Sequence, residues 1–349
     1  MAANPKLLCD TSGMDRKTWL EARAHGPDGS IPYTIGGSDI GVIFGVSPFK
    51  TALELWHEKK GNILPDDNSN AAQKKLGHVL EDVICELWAE KTGNTIIQDT
   101  GLYQHGDYPC LLANLDRRFI RASDGKEGPF DAKSTSYRMA HEWDDGAIPM
   151  HYEFQIRHYM AVKNMDIGAI GCLWGNNPDS DLAVPPYLER DFEIEKMLIE
   201  GALEFVDSLH HNREPSLKGV PSKQAMNALA RIAAKSDASL PTVILGRKYA
   251  SKAIRIARLD EEIAQHNKII KGKEDEVAQL SVQICEAMKK HGHGSIDAGL
   301  HEILLHYVEK TSNRVDTKRL AADYPIIHKE MLRESVSRKL KVEVREKTV

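Results

Sequence analysis

Three residues in one short stretch carry the most chemistry. Within LANLDRRFIRASDGKEGPFDAKST, residues 112–135, lie the carboxylates Asp116 and Asp131 and the amine Lys133. Metal-assisted phosphodiester hydrolysis calls for this set. Hard divalent ions neutralise phosphate charge, activate a water and steady the leaving oxygen, and two ions about 4 Å apart can clamp both reacting oxygens. Magnesium prefers carboxylate and water oxygens to nitrogen or sulfur. Asp131 and Lys133 are two apart, so on a strand they share a face, and Ala132 turns the other way. The 14 residues between Asp116 and Asp131 include Gly125 and Gly128, enough for a chain reversal that sets the carboxylates side by side. A lone D-x-K pair is most often an exposed strand edge, so the surroundings must decide.

The elements that would position these residues can be read from pattern. Residues 1–30 show no sustained periodicity and read as an arm, with a short helix near Arg16–Ala24. GGSDIGVIFGVSPFKTALELWHEKKGN, from Gly36, gives two helices split by Ser47-Pro48, with Ser38 a candidate N-cap of the first and Thr51 opening the second. Residues 73–92 predict an amphipathic helix with a stripe of Leu76, Leu80, Val83, Ile84, Leu87 and Trp88. Strand-like runs punctuated by Gly, Pro and Asp follow to residue 135 and predict antiparallel hairpins. HYEFQIRHYMAVK (151–163) reads as a helix, IGAIGCLWG as a buried strand, and 192–212 as a further helix.

The character changes at residue 221. A long helix is expected over about 248–290. Ile256, Ile263, Ile270, Val277 and Ile284 repeat every seven residues, and Leu259, His266, Lys273, Leu280 and Ala287 form a second row. Gly272 could mark a bend or a hairpin tip. A hairpin (SIDAGLHEILLHYV), a short helical region (316–333) and a basic strand (RKLKVEVR) close the chain. The expected organisation is an arm (1–30), a core domain (31–220) and a C-terminal extension (221–349).

Of 349 residues, 41% are hydrophobic and 28% charged, the composition of a globular chain. No apolar run approaches the ~20 residues of a membrane span. The start of the chain lacks a signal-peptide pattern, so a soluble, cytoplasmic protein is expected. The five cysteines are too scattered for a thiolate metal site, and no HExxH pattern supports zinc. Histidines such as His141, His151 and His158 read as surface or supporting groups. The net charge of −5 hides an asymmetry: residues 221–349 carry 24 Lys and Arg against 17 Asp and Glu. A basic extension could meet phosphates, or could be a solvated face.

Four ordered segments resemble one family over nearly the whole chain. GGSDIGVIFGVSPFKTALELW, GHVLED (77–82), LDRR…DAK and YEFQIRHYM resemble the motifs of the YqaJ-type viral recombinases, relatives of lambda exonuclease in the PD-(D/E)xK nuclease superfamily. The tail segments SNRVDTKRLAADYP and SVSRKLKV resemble the C-terminal extension of longer members. The resemblance implies an α/β fold: a restriction-endonuclease-like core with a central mixed β-sheet flanked by helices, and a mainly helical C-terminal extension with a small β element.

It also implies a metal-dependent exonuclease that degrades the 5′-ended strand of linear double-stranded DNA and leaves 3′ overhangs for a single-strand annealing protein. The cofactor would be Mg²⁺, with Mn²⁺ able to substitute, as a pair of ions. Glu81, Asp116 and Asp131 would bind metal, with the carbonyl of Ala132 adding a contact, and Lys133 would be the catalytic lysine. Gln155 would reach the scissile phosphate region. Tyr152, Asn114, Ser38 and Arg157 are expected at phosphate or DNA, though Arg157 stands where many relatives have Gln and could salt-bridge instead. Asp131 stands where most relatives have Glu, one methylene longer. The Arg that relatives use on a 5′-phosphate could be Arg16 or Arg23. Related exonucleases form rings that enclose duplex DNA, which implies a homo-oligomer, with a trimer one form. The same core also serves endonucleases, and a catalytically silent DNA-end-binding module is a further alternative.

Overall fold

The computed structural model describes residues 4–65, 71–115, 117–175, 177–233, 241–297 and 302–307. In chain order the elements are β1 (Lys6–Asp10), α1 (Arg16–His25), α2 (Gly37–Ile43), α3 (Ala52–Lys59), α4 (Ala71–Thr92), β2 (Thr95–Gln98), β3 (Gly101–Gln104), β4 (Leu112–Asn114), β5 (Arg117–Ile120) and β6 (Glu127–Ser134). After a 3-10 segment (Tyr137–Gly146) come α5 (Met150–Lys163), β7 (Ile167–Leu173), α6 (Pro178–Asp181), β8 (Leu182–Ala183), β9 (Leu188–Glu189), α7 (Phe192–His210), α8 (Ser222–Ile232), α9 (Ala250–Met288), β10 (His293–Asp297) and β11 (Glu302–His306).

The central sheet is mixed, in the order β2-β5-β6-β7-β8, with β9 also pairing β7. β5 and β6 form the expected antiparallel hairpin, with Arg117 opposite Phe130. β6 and β7 run parallel, Asp131 opposite Ile170 and Lys133 opposite Cys172. A parallel pair needs a crossover, and α5 is the helix within it. Helices cover both faces. Ile84, Cys85 and Trp88 of α4 pack against Phe119, Phe130, Ala169 and Leu173 on one face. On the other, Ile156 and Met160 of α5 lie so close to Gly168 that a Cβ there would come within 2.4 Å of Ile156 Cγ2. This is the mixed α/β architecture expected.

Several local expectations change. The short helix expected near Arg16–Ala24 is α1, and the segment from Lys6 is tied to the core: β1 pairs with β3, and Trp19 Nε1 of α1 donates to Asn114 Oδ1 at 2.8 Å. A half-exposed five-residue strand leaves no long pattern to read. The N-cap of α2 is Gly36 rather than Ser38, and the Asp39 carboxylate turns back to accept from Gly36 N at 3.1 Å. Ser38 is exposed in the first turn. Along α4 the buried line is Ile84, Cys85 and Trp88, while Leu76 and Val83 are 56% and 43% exposed. The stripe read from sequence ran slightly off the true contact line.

The chain divides into two compact units, Met1–Ala234 and Lys235–Val349. The first runs past the change of character at 221 because α8 docks on α3: Arg231 pairs with Glu58 at 2.7 Å and with Glu54 at 3.4 Å. In the second unit α9 continues through Gly272 without a break, and β10 pairs with β11 as the expected hairpin. The helical region at 316–333 and the closing basic strand lie outside the described residues. Among the described residues no helix is long and apolar enough to cross a membrane.

Two outcomes follow from the packing. A Cβ at Gly37 would fall 2.5 Å from the Tyr159 ring. Gly37→Ala should therefore destabilise the first unit by about 1–3 kcal/mol, read as a lowered denaturant midpoint. His158 is buried, with Nε2 donating to Leu112 O at 2.9 Å, and burial pushes its pKa down to about 4. The unfolded chain takes up that proton below about pH 6.5 and the folded one does not. Stability from this group is thus intact above pH 6.5 and falls by about 1.4 kcal/mol per unit down to pH 4. His158→Gln should flatten that part of the stability–pH curve.

Candidate active site

Strand alternation sorts β6 into two faces. Phe130 and Ala132 face α4, where Ala132 packs by Ile84 and Leu173. Asp131 and Lys133 project to the α5 face, and Lys133 Nζ lies 2.6 Å from Asp131 Oδ2. These side chains are only 11% and 21% exposed. Burial by itself would lower the amine's pKa, but the Asp131 carboxylate beside it more than offsets that and holds it above the ordinary lysine value. Lys133 is therefore an ammonium here. Its Nζ sits 5.0 Å from the centre of the Tyr152 ring, a cation–π distance.

α5 builds the opposing wall. Gln155 Nε2 donates to Tyr159 OH at 3.0 Å, and the N-terminus of α2 presses onto both through the missing side chain of Gly37. Tyr152 is held above the ordinary tyrosine pKa, mainly by burial. His151, next to Tyr152 with ring centroids 3.9 Å apart, has a buried Nε2 without a hydrogen-bond partner among the described residues. Burial, then the Lys133 charge, pushes its pKa down to about 4, so the imidazole is neutral. Tyr159 was not singled out from sequence, and His151 was read there as a surface or supporting group. The signal for Tyr159 was available, since residues 152, 155 and 159 share one helical face.

The other expected residues fall as follows. Glu81 is on α4, with Oε1 3.1 Å from His78 Nδ1. One turn earlier Gly77 lies beside Ser134, so this part of α4 reaches the end of β6 that carries Asp131 and Lys133. Asp116 lies outside the described residues. The β5–β6 register reaches Arg117 opposite Phe130, one residue short of both Asp116 and Asp131. Among the described residues no three His, Cys, Asp or Glu side chains gather closely enough to hold a metal ion. The donors present are nonetheless oxygens, the type that hard cations take.

Two of the residues expected at phosphate have partners within the chain. The Asn114 amide accepts from Trp19 and donates to Gly101 O at 3.1 Å, tying α1 to β3 and β4. Arg157 makes the salt bridge that was its alternative, with Nε 2.7 Å from Glu153 Oε1 and a second hydrogen bond to Glu189 O at 3.1 Å.

The chain is 28% identical to the protein YqaJ of Bacillus subtilis (strain 168) over 341 residues, 95% of each chain. Partial structural likenesses occur to the alkaline exonuclease LHK-Exo of Laribacter hongkongensis bound to dAMP (18% identity, TM-score 0.45, 56% of this chain and 94% of that one). A phage-related exonuclease from Haemophilus somnus 129PT gives 14% identity and a TM-score of 0.35, over 51% of this chain and 96% of that one. Residues 18–166 match the family model of the YqaJ-like viral recombinase domain, the family that the motifs resemble.

Proposed function

We propose that the first unit is a metal-dependent deoxyribonuclease acting from the ends of linear duplex DNA, 5′ to 3′, and leaving 3′ overhangs for an annealing partner. The observation that carries the reading is the Asp131–Lys133 pair on β6, whose partner strand β5 opens at Arg117, the residue after Asp116. Assembly into a homo-oligomer, a trimer among the forms, belongs to the same reading.

The residues that would hold a pair of Mg²⁺ ions are Glu81, Asp116 and Asp131, with the carbonyl of Ala132. Bound there, such ions supply charge neutralisation and a water of lowered pKa. The chain's own groups do the rest. Lys133, as an ammonium, donates hydrogen bonds to the attacking water or to a phosphate oxygen and offsets developing negative charge. The Gln155 amide, fixed by Tyr159, orients the phosphate. Tyr152 and neutral His151 wall the lysine from bulk water, which strengthens its field. Ser38, exposed in the first turn of α2, stands where a 5′-phosphate could be met.

The test is a time course on end-labelled linear duplex with Mg²⁺. Asp131→Ala, Asp116→Ala and Lys133→Ala should each slow release of mononucleotides by about 10²–10⁴-fold. EDTA should abolish release and Mn²⁺ restore it. A 5′ label should be lost before a 3′ label. Equal cleavage of covalently closed circles would favour an endonuclease instead. Activity unchanged in Lys133→Ala would contradict the site.

A further inference from the structure

The second unit presents a surface that the nuclease reading does not use. α9 is one continuous helix of 39 residues, about 58 Å long. Its side chains are exposed along most of that length. Ile263, Ile270, Val277 and Leu280 are 52–63% exposed, and Leu259 is 39% exposed. They fall on one line because they occupy the two heptad rows read from the sequence. A lone helix gains nothing from a regular apolar seam held in water, and a sustained apolar patch marks an interaction face. At the C-terminal end, Ile284 and Ala287 meet the β10–β11 hairpin, lining a cavity of about 440 Å³ with Met288 and Leu305. The open seam therefore runs from Leu259 to Leu280, about three heptads, the length at which heptads specify a coiled coil.

We propose that this seam pairs with α9 of a second copy of the chain as a parallel, two-stranded coiled coil. The first row is β-branched at all five positions, and Leu259 and Leu280 stand in the second, the arrangement that favours two parallel strands. Flanking charges agree. In parallel register Arg255 faces Asp260 of the second copy on both sides of the coil, and no like charges meet across the flanks. Among the described residues Arg255 has an exposed contact with Glu262 at 3.5 Å, a weak pair that exchanges readily. An antiparallel pairing that overlays the same seam on itself would instead oppose Asp260 to Glu274 and Glu262 to Glu276. His266 and Lys273 interrupt the second row. Polar residues in a seam lower stability and fix register, and Lys273 lies next to Glu274 of the second copy in this one. This pairing is independent of the nuclease reading.

Light scattering on the full chain at micromolar concentration tests it. The expected mass is an even multiple of the chain's: twice it, or six times it where the nuclease units also form trimers. Ile263→Asp with Ile270→Asp should halve that mass, whereas Gln265→Asp, on the outer face, should leave it unchanged. Ile270→Cys should give an oxidant-dependent covalent dimer absent from the wild type, because like positions meet only in a parallel pair; this holds even if the double Asp variant misfolds. Three results would overturn the proposal. One is a monomeric wild type, its seam covered by its own chain or another partner. The second is an oligomer indifferent to the two Asp substitutions, and the third a dimer that Ile270→Cys does not crosslink.

Discussion

A carboxylate and an ammonium set together in a mostly buried position are costly to desolvate unless their geometry is fixed. The Asp131–Lys133 pair meets that condition through its strand. Both residues lie on β6, two apart, where the pleat sends them to the same face. β6 is itself held on both sides, antiparallel to β5 and parallel to β7. The parallel pairing is what requires α5 as a crossover, and α5 is the element that brings Tyr152, Gln155 and Tyr159 to the same face. One topological choice thus gives the pair its position and its wall.

The two sides of the sheet do different work. The α4 side is a hydrophobic contact of Trp88 with Phe119 and Phe130, their ring centroids 5.5 and 4.6 Å apart, and it fixes the helix that carries Glu81. The α5 side is polar and close, with Gly37, Gly41 and Gly168 allowing backbone approach that any side chain would block. Those glycines are required by proximity, not by backbone angle. The charged pair keeps its field because that side has little room for water.

Much of this was legible in the sequence. A two-residue spacing is enough to place Asp131 and Lys133 on one face, and regular apolar spacing is enough for α5, α7 and α9. Other features were not legible for physical reasons. The true N-cap of α2 depends on Asp39 turning back, a side-chain geometry that Ser38 imitates in composition alone. β1 draws its order from pairing with a distant strand, so it has no local signature. The bonds that take up Asn114 and Arg157 come from α1 and from the residue at the end of β9, which no short motif reports. The neutral state of His151 depends on burial and on Lys133, both products of the assembled fold.

The central claim is that Glu81, Asp116 and Asp131 converge with Lys133 around hard cations. Crystals grown with Mn²⁺ and examined by anomalous diffraction test it most directly. The account predicts a peak with carboxylate oxygens of Asp131, Asp116 and Glu81 at about 2.0–2.6 Å, and Lys133 displaced from its contact with Asp131. Carboxylates that diverge to separate surfaces, with manganese bound elsewhere or nowhere, would contradict it.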